Sequence, residues 1–78
     1  MFSLTGSIRY WVCRRTVDMR NGINGLMTIV EGEFGLKSTS GDAFVFFSKD
    51  GSTVKILRWD TDGYLLYHKK LAKGTFER

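Results

Sequence analysis

The sequence contains no proline and a single cysteine, Cys13. A lone cysteine excludes an internal disulfide framework and a cysteine-rich zinc site, and the absence of proline excludes a proline-rich arm. No apolar run approaches the roughly 18 residues that a membrane span requires, and the N-terminus lacks the basic start and apolar stretch of a signal peptide. We therefore expect a cytoplasmic protein with no membrane partner, in which Cys13 is a small, partly buried side chain.

The chain has 78 residues, of which 42% are hydrophobic and 26% are charged. This composition is typical of a globular protein, and the length predicts a single small domain spanning residues 1–78. The formal net charge is +4 and the isoelectric point is about 9.5. An excess of positive charge favours polyanions as partners.

One segment has the periodicity of a helix, with a single apolar stripe. Asp18 precedes this segment as the predicted N-cap, and Gly35 follows it where a left-handed terminator is expected. Three glycines interrupt the stripe at a cost of about 1 kcal/mol each relative to alanine. We expect a close approach of the helix to a sheet to compensate, or a helix that begins only near Asn21. The stripe consists of Met19, Ile23, Leu26, Met27, Val30 and Phe34, and the glycines are Gly22, Gly25 and Gly32.

The remaining segments predict strands, over residues 7–13, 43–48, 53–59 and 64–70. Asp50-Gly51 and Asp62-Gly63 lie in short turns between the last three, and short turns force these strands into an antiparallel meander. The predicted fold is α+β with the order β-α-β-β-β, an antiparallel sheet, and one helix packed on one face.

Alternation along the strands predicts two apolar faces, of which one helix can cover only one. The other would be shielded by the N-terminal strand, the C-terminal tail, a second copy or another partner. One face mixes aromatic rings with lysines, as a platform for single-stranded nucleic acid does; alternatively, its rings are core residues and its lysines are solvated. The predicted members of that face are Phe44, Phe46, Lys55, Leu57, Trp59, Leu65, Tyr67 and Lys69, and those of the other are Val45, Phe47, Val54, Ile56, Arg58, Tyr64, Leu66 and His68.

Residues that could support catalysis are few. His68 is the only histidine, and neither Cys13 nor a serine stands in a pattern that suggests a nucleophile with a base. Asp60 and Asp62 flank one turn residue and could share a cation, although acidic turn residues usually bond to the local backbone. We expect no enzymatic activity and no cofactor.

The basic residues form two groups along the chain. If the groups meet in space, they form one patch suited to phosphates; the alternative is a scattered, solvated distribution. One group is Arg9, Arg14, Arg15 and Arg20, and the other is Lys69, Lys70, Lys73 and Arg78. The predicted nucleic-acid-binding residues are Arg9, Arg14, Arg15, Arg20, Lys55, Arg58, Trp59, Lys69, Lys70 and Lys73. For Arg20 we expect a specific partner, either a carboxylate such as Asp60 or Asp62 or a phosphate, with a solvated side chain as the alternative.

Several short motifs are similar to those of one known family. Asp18-Met19-Arg20 is one of them, and Leu57-Arg58-Trp59-Asp60 and Lys73-Gly74-Thr75-Phe76-Glu77 are the most specific in combination. With them the chain resembles the small TnpB-type accessory protein of the insertion sequence 66 family of bacterial transposons. The resemblance implies a role in support of transposition and carries over no catalytic residue. Together with the positive charge, it predicts transposon-end DNA as a partner.

The resemblance leaves an alternative function, and the chain departs from the family pattern at three places. The alternative is an interaction module that docks on the transposase of the same element or associates with itself as a homo-oligomer. Relatives usually have Pro-Thr before Asp18 and a lysine at position 21, where this chain has Thr16-Val17 and Asn21. Relatives tend to have an arginine-rich hairpin where this chain has residues 48–53, which hold one basic and one acidic residue. Relatives also continue past the final motif, so we expect this chain to lack a C-terminal extension, as a truncated, degenerate or naturally short member.

Overall fold

The computed structural model describes residues 8–76. The elements follow the order β1 (Tyr10–Val12), α1 (Ile23–Ile29), β2 (Ala43–Phe47), β3 (Thr53–Asp60) and β4 (Gly63–Lys70). Helix α1 continues directly into a π-helical segment, Val30–Phe34. The predicted α+β class and the order β-α-β-β-β are confirmed. The first strand is shorter than predicted, and Ser7 lies outside the described residues.

The four strands form one sheet in the order β1-β2-β3-β4. Strands β2, β3 and β4 are antiparallel neighbours, so the predicted meander is confirmed. Strand β1 pairs in parallel with β2, with Trp11 opposite Phe44. The prediction of a purely antiparallel sheet is therefore wrong. The connection between β1 and β2 contains the helix, and a connection of that length allows the chain to re-enter the sheet in the same direction.

The register of β4 differs from the prediction. Leu66 lies opposite Leu57, and Tyr64 lies opposite Trp59. Residues directly opposite each other share a face, so Leu66 and Tyr64 belong with Leu57 and Phe44, whereas Leu65, Tyr67 and Lys69 lie on the other face. The predicted assignment of β4 is wrong because it did not follow the register that the turn sets. The predicted strand ends, residues 59 and 64, place Tyr64 opposite Trp59, and so does the observed two-residue turn in which Asp60 pairs with Gly63.

The main core lies between the helix and one face of the sheet. Leu26, Val30, Phe44, Phe46 and Leu57 are fully buried. The rings of Phe34 and Phe44 are tilted, with centroids 5.4 Å apart, so the π-helical segment packs directly on β2. Of the two alternatives for this face, a stacking platform for nucleic acid or a core, the structure supports the core, because Phe44 and Phe46 are enclosed under the helix.

The other face of the sheet, called the open face below, is covered in part by the C-terminal tail. The N–H of Phe76 donates to the oxygen of Gly51, and the N–H of Leu71 donates to the oxygen of Ser52, both at 2.8 Å. The rings of Phe47 and Phe76 are 5.9 Å apart. Gly51 has φ +75, and a Cβ there would press on the side chain of Thr75. The C-terminal tail, which was one of the predicted covers for the second face of the sheet, therefore covers one part of the open face.

The helix begins later than the apolar stripe does. Gly22 occupies the N-cap without a side-chain bond, so the prediction that Asp18 caps the helix is wrong. The alternative prediction, a helix that begins near Asn21, lies closer to the observed start at Ile23. A Cβ on Gly25 would clash with the Asn21 side chain, whereas Gly32 has open space around it. The compensation for Gly25 is therefore contact with Asn21 and not with the sheet. Gly35 ends the helix in the left-handed region with φ 64, as predicted.

Candidate nucleic-acid interface

The sheet topology divides the charged residues between two ends. Strands β1 and β2 run in parallel, and Thr53 at the start of β3 pairs with Lys70 at the end of β4. The loop after β1, the turn after β2 and the tail after β4 therefore lie at the same end, which we call the basic end. The segments before β1 and β2 lie at the opposite end with the β3–β4 turn, and we call this the acidic end.

Cations outnumber carboxylates at the basic end. Six of the ten sequence-predicted binding residues lie at this end, some in the loop after β1 and the others on β4 and in the tail, and β1 and β4 are opposite edges of the sheet. Lys49, which was not among the predicted binding residues, joins them because it lies in the turn directly after β2. The cations at this end are Arg14, Arg15, Arg20, Lys49, Lys69, Lys70 and Lys73, and the carboxylates in its loops are Asp18 and Asp50. Arg78 and Glu77 lie outside the described residues.

Arg20 does have a carboxylate partner, but it is Asp18 and neither Asp60 nor Asp62. Its guanidinium donates to both carboxylate oxygens of Asp18, with the shortest bond 2.7 Å long. The N–H of Arg20 also donates to Asp18, at 2.8 Å. These bonds lower the pKa of Asp18 from 3.8 to about 2 and raise the pKa of Arg20. The side chain of Arg20 remains 92% exposed, so the pair lies on the surface.

The other cations at the basic end differ in how well they are neutralised. Arg15 bonds to Glu33 at 2.8 Å, so the charge of Arg15 is balanced. Arg14, Lys69 and Lys73 are exposed, and none of them has an ion-pair partner within residues 8–76. Three unbalanced positive charges therefore remain near the end of β4 and in the loop after β1.

Asp50 organises the turn between β2 and β3. Its carboxylate accepts bonds from the N–H and the hydroxyl of Ser52 and from the hydroxyl of Ser48. These bonds, with a smaller contribution from the charge of Lys70, lower the pKa of Asp50 to about 2. An open groove begins here, between the loop after β1 and the β2–β3 turn. It is lined by Thr16, Val17, Asp18, Met19, Ser48, Lys49, Asp50, Ser52, Thr53 and Lys70.

Lys55 is unavailable to a phosphate, so the prediction that it binds nucleic acid is wrong. The residue is only 6% exposed, and its ammonium donates to the main-chain oxygens of Met19 and Asn21, both at 2.8 Å. Its position in β3, on the helix side of the sheet, directs the chain toward the loop before α1. Lys55 therefore holds that loop against the sheet.

The remaining predicted residues lie at the acidic end. Arg9 is 3.9 Å from Asp42, and Arg58 donates to the oxygen of Gly41 at 3.0 Å and lies 4.0 Å from Asp60. Asp62 adds a further carboxylate in the turn. Arg9 and Arg58 therefore do not join the other predicted cations.

Trp59 is the one ring in the predicted binding set, and it also lies at the acidic end. Trp59 packs edge-on against Tyr64, with ring centroids 5.0 Å apart. The hydroxyl of Tyr64 bonds to the buried Ser38, which donates to Glu31. Trp59 is therefore part of a packed cluster, at the opposite end of the sheet from the unbalanced lysines.

Residues 8–76 contain no grouping of three or more metal-ligating side chains that could hold an ion. Cys13 is buried, with 2% of its surface exposed, and His68 is exposed on β4. No helix within the same residues is long and apolar enough to cross a bilayer.

A comparison with protein families identifies the group to which the chain belongs. The family model described as IS66 Orf2-like protein, of the TnpB type, matches residues 8–78. The chain is a member of the IS66 Orf2-like family. The expected membership of the insertion sequence 66 family is therefore confirmed.

Two relatives come from Sinorhizobium fredii (strain NBRC 101917 / NGR234). Uncharacterized protein y4jC is 33% identical over 76 residues, which are 97% of this chain and 65% of that protein. Uncharacterized protein y4hO is 33% identical over 70 residues, which are 90% of this chain and 61% of that protein. The chain thus spans less than two thirds of the length of either relative. No solved structure matches the chain.

The motifs that carried the resemblance have structural roles in this IS66 Orf2-like chain. Asp18-Met19-Arg20 forms the turn whose Met19 oxygen receives Lys55. Arg58, in the second motif, bonds to the loop before β2, and Phe76, in the third, covers Phe47. These bonds tie loops and the tail to the sheet. The exposed lysines of β4 lie outside the first two motifs.

Proposed function

We propose that this chain is a non-catalytic accessory protein of insertion-sequence transposition that binds DNA at the transposon ends through its basic end. The family membership supports the accessory role. The observation that carries the binding is the position of Lys69, Lys70 and Lys73 at the end of β4 and in the tail after it, at the end of the sheet opposite Asp42 and the β3–β4 turn.

The chemistry of these side chains fits a phosphate backbone. Lys69, Lys73 and Arg14 are exposed and carry no ion pair within residues 8–76, so a phosphate would not have to displace a carboxylate. Lys70 lies at the groove of the basic end. Neutralising phosphates with exposed lysines releases counterions and gives an affinity that falls with salt and depends little on sequence.

The positions of the aromatic rings favour a duplex over a single strand. Single-strand platforms stack bases on exposed rings beside cations. Here Phe44 and Phe46 are fully buried, and Trp59 packs on Tyr64 at the acidic end. Tyr67 is exposed on the same face as Lys69, which supplies one ring and not a row of stacking rings. Duplex DNA presents its phosphates outward and needs no ring contact, so the basic end suits it better.

The test is a binding titration with duplex DNA from the ends of the element, at two salt concentrations. We expect the combined change Lys69→Gln, Lys70→Gln and Lys73→Gln to weaken binding. It should also reduce the slope of log affinity against log salt by about 0.9 for each phosphate that the variant no longer neutralises. The control removes positive charge elsewhere, by Arg9→Gln before β1 with Lys37→Gln, which lies between the π-helical segment and β2. Equal affinity for the triple variant and the control would contradict the proposal.

A second candidate function is docking on the transposase through the open face. Tyr10, Val12 and Tyr67 are 43%, 51% and 44% exposed, and all three lie on that face because of the sheet register. Apolar side chains left exposed on one face are typical of interaction surfaces. Light scattering with the transposase would show a complex that Tyr10→Ser with Tyr67→Ser abolishes, together with no measurable DNA affinity, if this candidate is correct.

A further inference from the structure

We propose that β4 pairs with β4 of a second copy of this chain, so that two sheets join into one across a two-fold axis. This inference does not depend on the proposed function. Strand β4 is an outer strand of the sheet and is eight residues long. Within residues 8–76, no strand lies beyond it. A long edge of this kind presents unpaired main-chain groups and is a template for another strand.

The hydrogen-bond pattern shows which main-chain groups face outward. The N–H of Leu71 donates to the oxygen of Ser52 at 2.8 Å, in continuation of the β3–β4 register. In an antiparallel pair, the residues that bond to the neighbour alternate along the strand. The odd-numbered residues of β4 therefore direct their N–H and C=O groups toward β3. The even-numbered ones, from Tyr64 to Lys70, direct theirs away from the sheet and can bond to a partner strand.

A two-fold axis perpendicular to the sheet sets residues of the same face opposite each other. Pairing centred on Leu66 places Tyr64 of one copy opposite His68 of the other and forms about six main-chain hydrogen bonds between the outward groups. On the open face, the same register sets Leu65 opposite Tyr67, twice. The exposed ring of Tyr67 would then be covered by an apolar partner.

The charges at the two ends of β4 select this partner and this register. The strand ends in Lys70, and the turn before it contains Asp62. Antiparallel pairing centred on Leu66 brings Asp62 of one copy beside Lys70 of the other at both ends of the interface. Pairing centred on Tyr67 would instead set Leu65 against Lys69. An edge with a carboxylate at one end and cations at the other is complementary to itself.

The first experiment is sedimentation equilibrium of the chain over a range of concentrations. We expect a monomer–dimer equilibrium. Asp62→Lys turns two attractive contacts into repulsive ones, so the dissociation constant should rise about tenfold or more. Adding Lys70→Glu to that variant restores opposite charges and should recover most of the affinity. A monomer at every concentration, or a dimer that neither variant affects, would overturn the proposal.

The second experiment tests the register by cysteine cross-linking, with Cys13 buried and out of reach. Leu65→Cys mixed with Tyr67→Cys should give a disulfide-linked dimer under mild oxidation, because the two positions face each other. Tyr67→Cys alone should not cross-link. Efficient cross-linking of Tyr67→Cys alone, or none in the mixture, would contradict pairing centred on Leu66. Circular dichroism of each variant verifies that it is folded.

Discussion

The ammonium of Lys55 donates to the main-chain oxygen of Asn21, 34 residues earlier in the chain, at 2.8 Å. A second bond of the same length reaches Met19. The two oxygens belong to the loop that leads into α1, so one side chain of β3 fixes the position from which the helix starts. Without a donor, these carbonyls would be left in a largely desolvated site.

Replacing Lys55 with methionine should therefore destabilise the fold. The variant keeps the apolar stem and removes the donor, and we expect the free energy of unfolding to fall by about 1–3 kcal/mol. The matched control is Lys69→Met on the exposed edge strand, which should change stability by less than about 0.5 kcal/mol. Urea unfolding followed by circular dichroism measures both. Equal effects for the two variants would show that the buried bonds contribute nothing.

The features that the sequence predicted correctly were those set by local patterns. The short turns containing Asp50-Gly51 and Asp62-Gly63 predicted the meander, and the apolar stripe that includes Leu26 and Val30 predicted a helix over one face. The predicted faces of β4 failed because they did not follow the predicted strand ends. Trp59 and Tyr64 flank the predicted turn and lie opposite each other in the structure, so they share a face. The parallel pairing of β1 was missed because it is a long-range contact.

The sequence predicted the candidate site only in part, because the positions of its cations depend on how the strands are arranged in the sheet. The cations at the end of β4 lie at the same end of the sheet as Arg14 because β1 and β2 are parallel, and the sequence alone offered a shared patch only as one of two possibilities. Lys55 was assigned to the binding set wrongly, because the sequence does not show whether the ammonium of a strand lysine faces water or donates to main-chain oxygens. The pair of Arg15 with Glu33 spans 18 residues and carries no sequence signal.

Two glycines of the helical segment should respond in opposite directions to alanine. Gly25→Ala would force the Asn21 side chain out of the position in which its amide donates to the oxygen of Asp18 at 2.9 Å. We expect this to cost more stability than alanine's helix propensity returns. Gly32→Ala meets open space and should stabilise the protein by about 0.5–1 kcal/mol. Thermal unfolding of both variants is the measurement, and stabilisation by Gly25→Ala would contradict the role of Asn21.

The pair of Asp18 and Arg20 should contribute to stability at neutral pH and lose that contribution in acid. The pKa of Asp18 is about 2 in the folded chain, against 3.8 for a free carboxyl group. The unfolded chain therefore binds the proton first, and the stabilisation is complete above about pH 4 and disappears as the pH falls through about 2. In Asp18→Asn, the decline in stability between pH 4 and pH 2 should be shallower than in the wild type.

The check for this pair is a set of urea-unfolding curves at several pH values between 2 and 6. Arg20→Gln removes the cause of the shift while leaving the carboxyl group in place, so it should flatten the same part of the profile. An acid profile that neither variant changes would show that the surface ion pair has no effect on stability.

Removing the ring of Phe76 should loosen the tail from the open face. The ring of Phe76 packs on Phe47, and the main-chain N–H of Phe76 donates to the oxygen of Gly51. Phe76→Ala keeps the main-chain bond and removes apolar packing at a half-buried position. We expect a loss of about 1–2 kcal/mol, roughly half the cost of deleting a phenylalanine from a core. Amide exchange in the tail should also speed up, because Leu71 and Phe76 donate the bonds that attach it. Lys73→Ala, in the same tail but exposed, is the control. If Phe76→Ala left both stability and exchange unchanged, the tail would contribute nothing to covering Phe47.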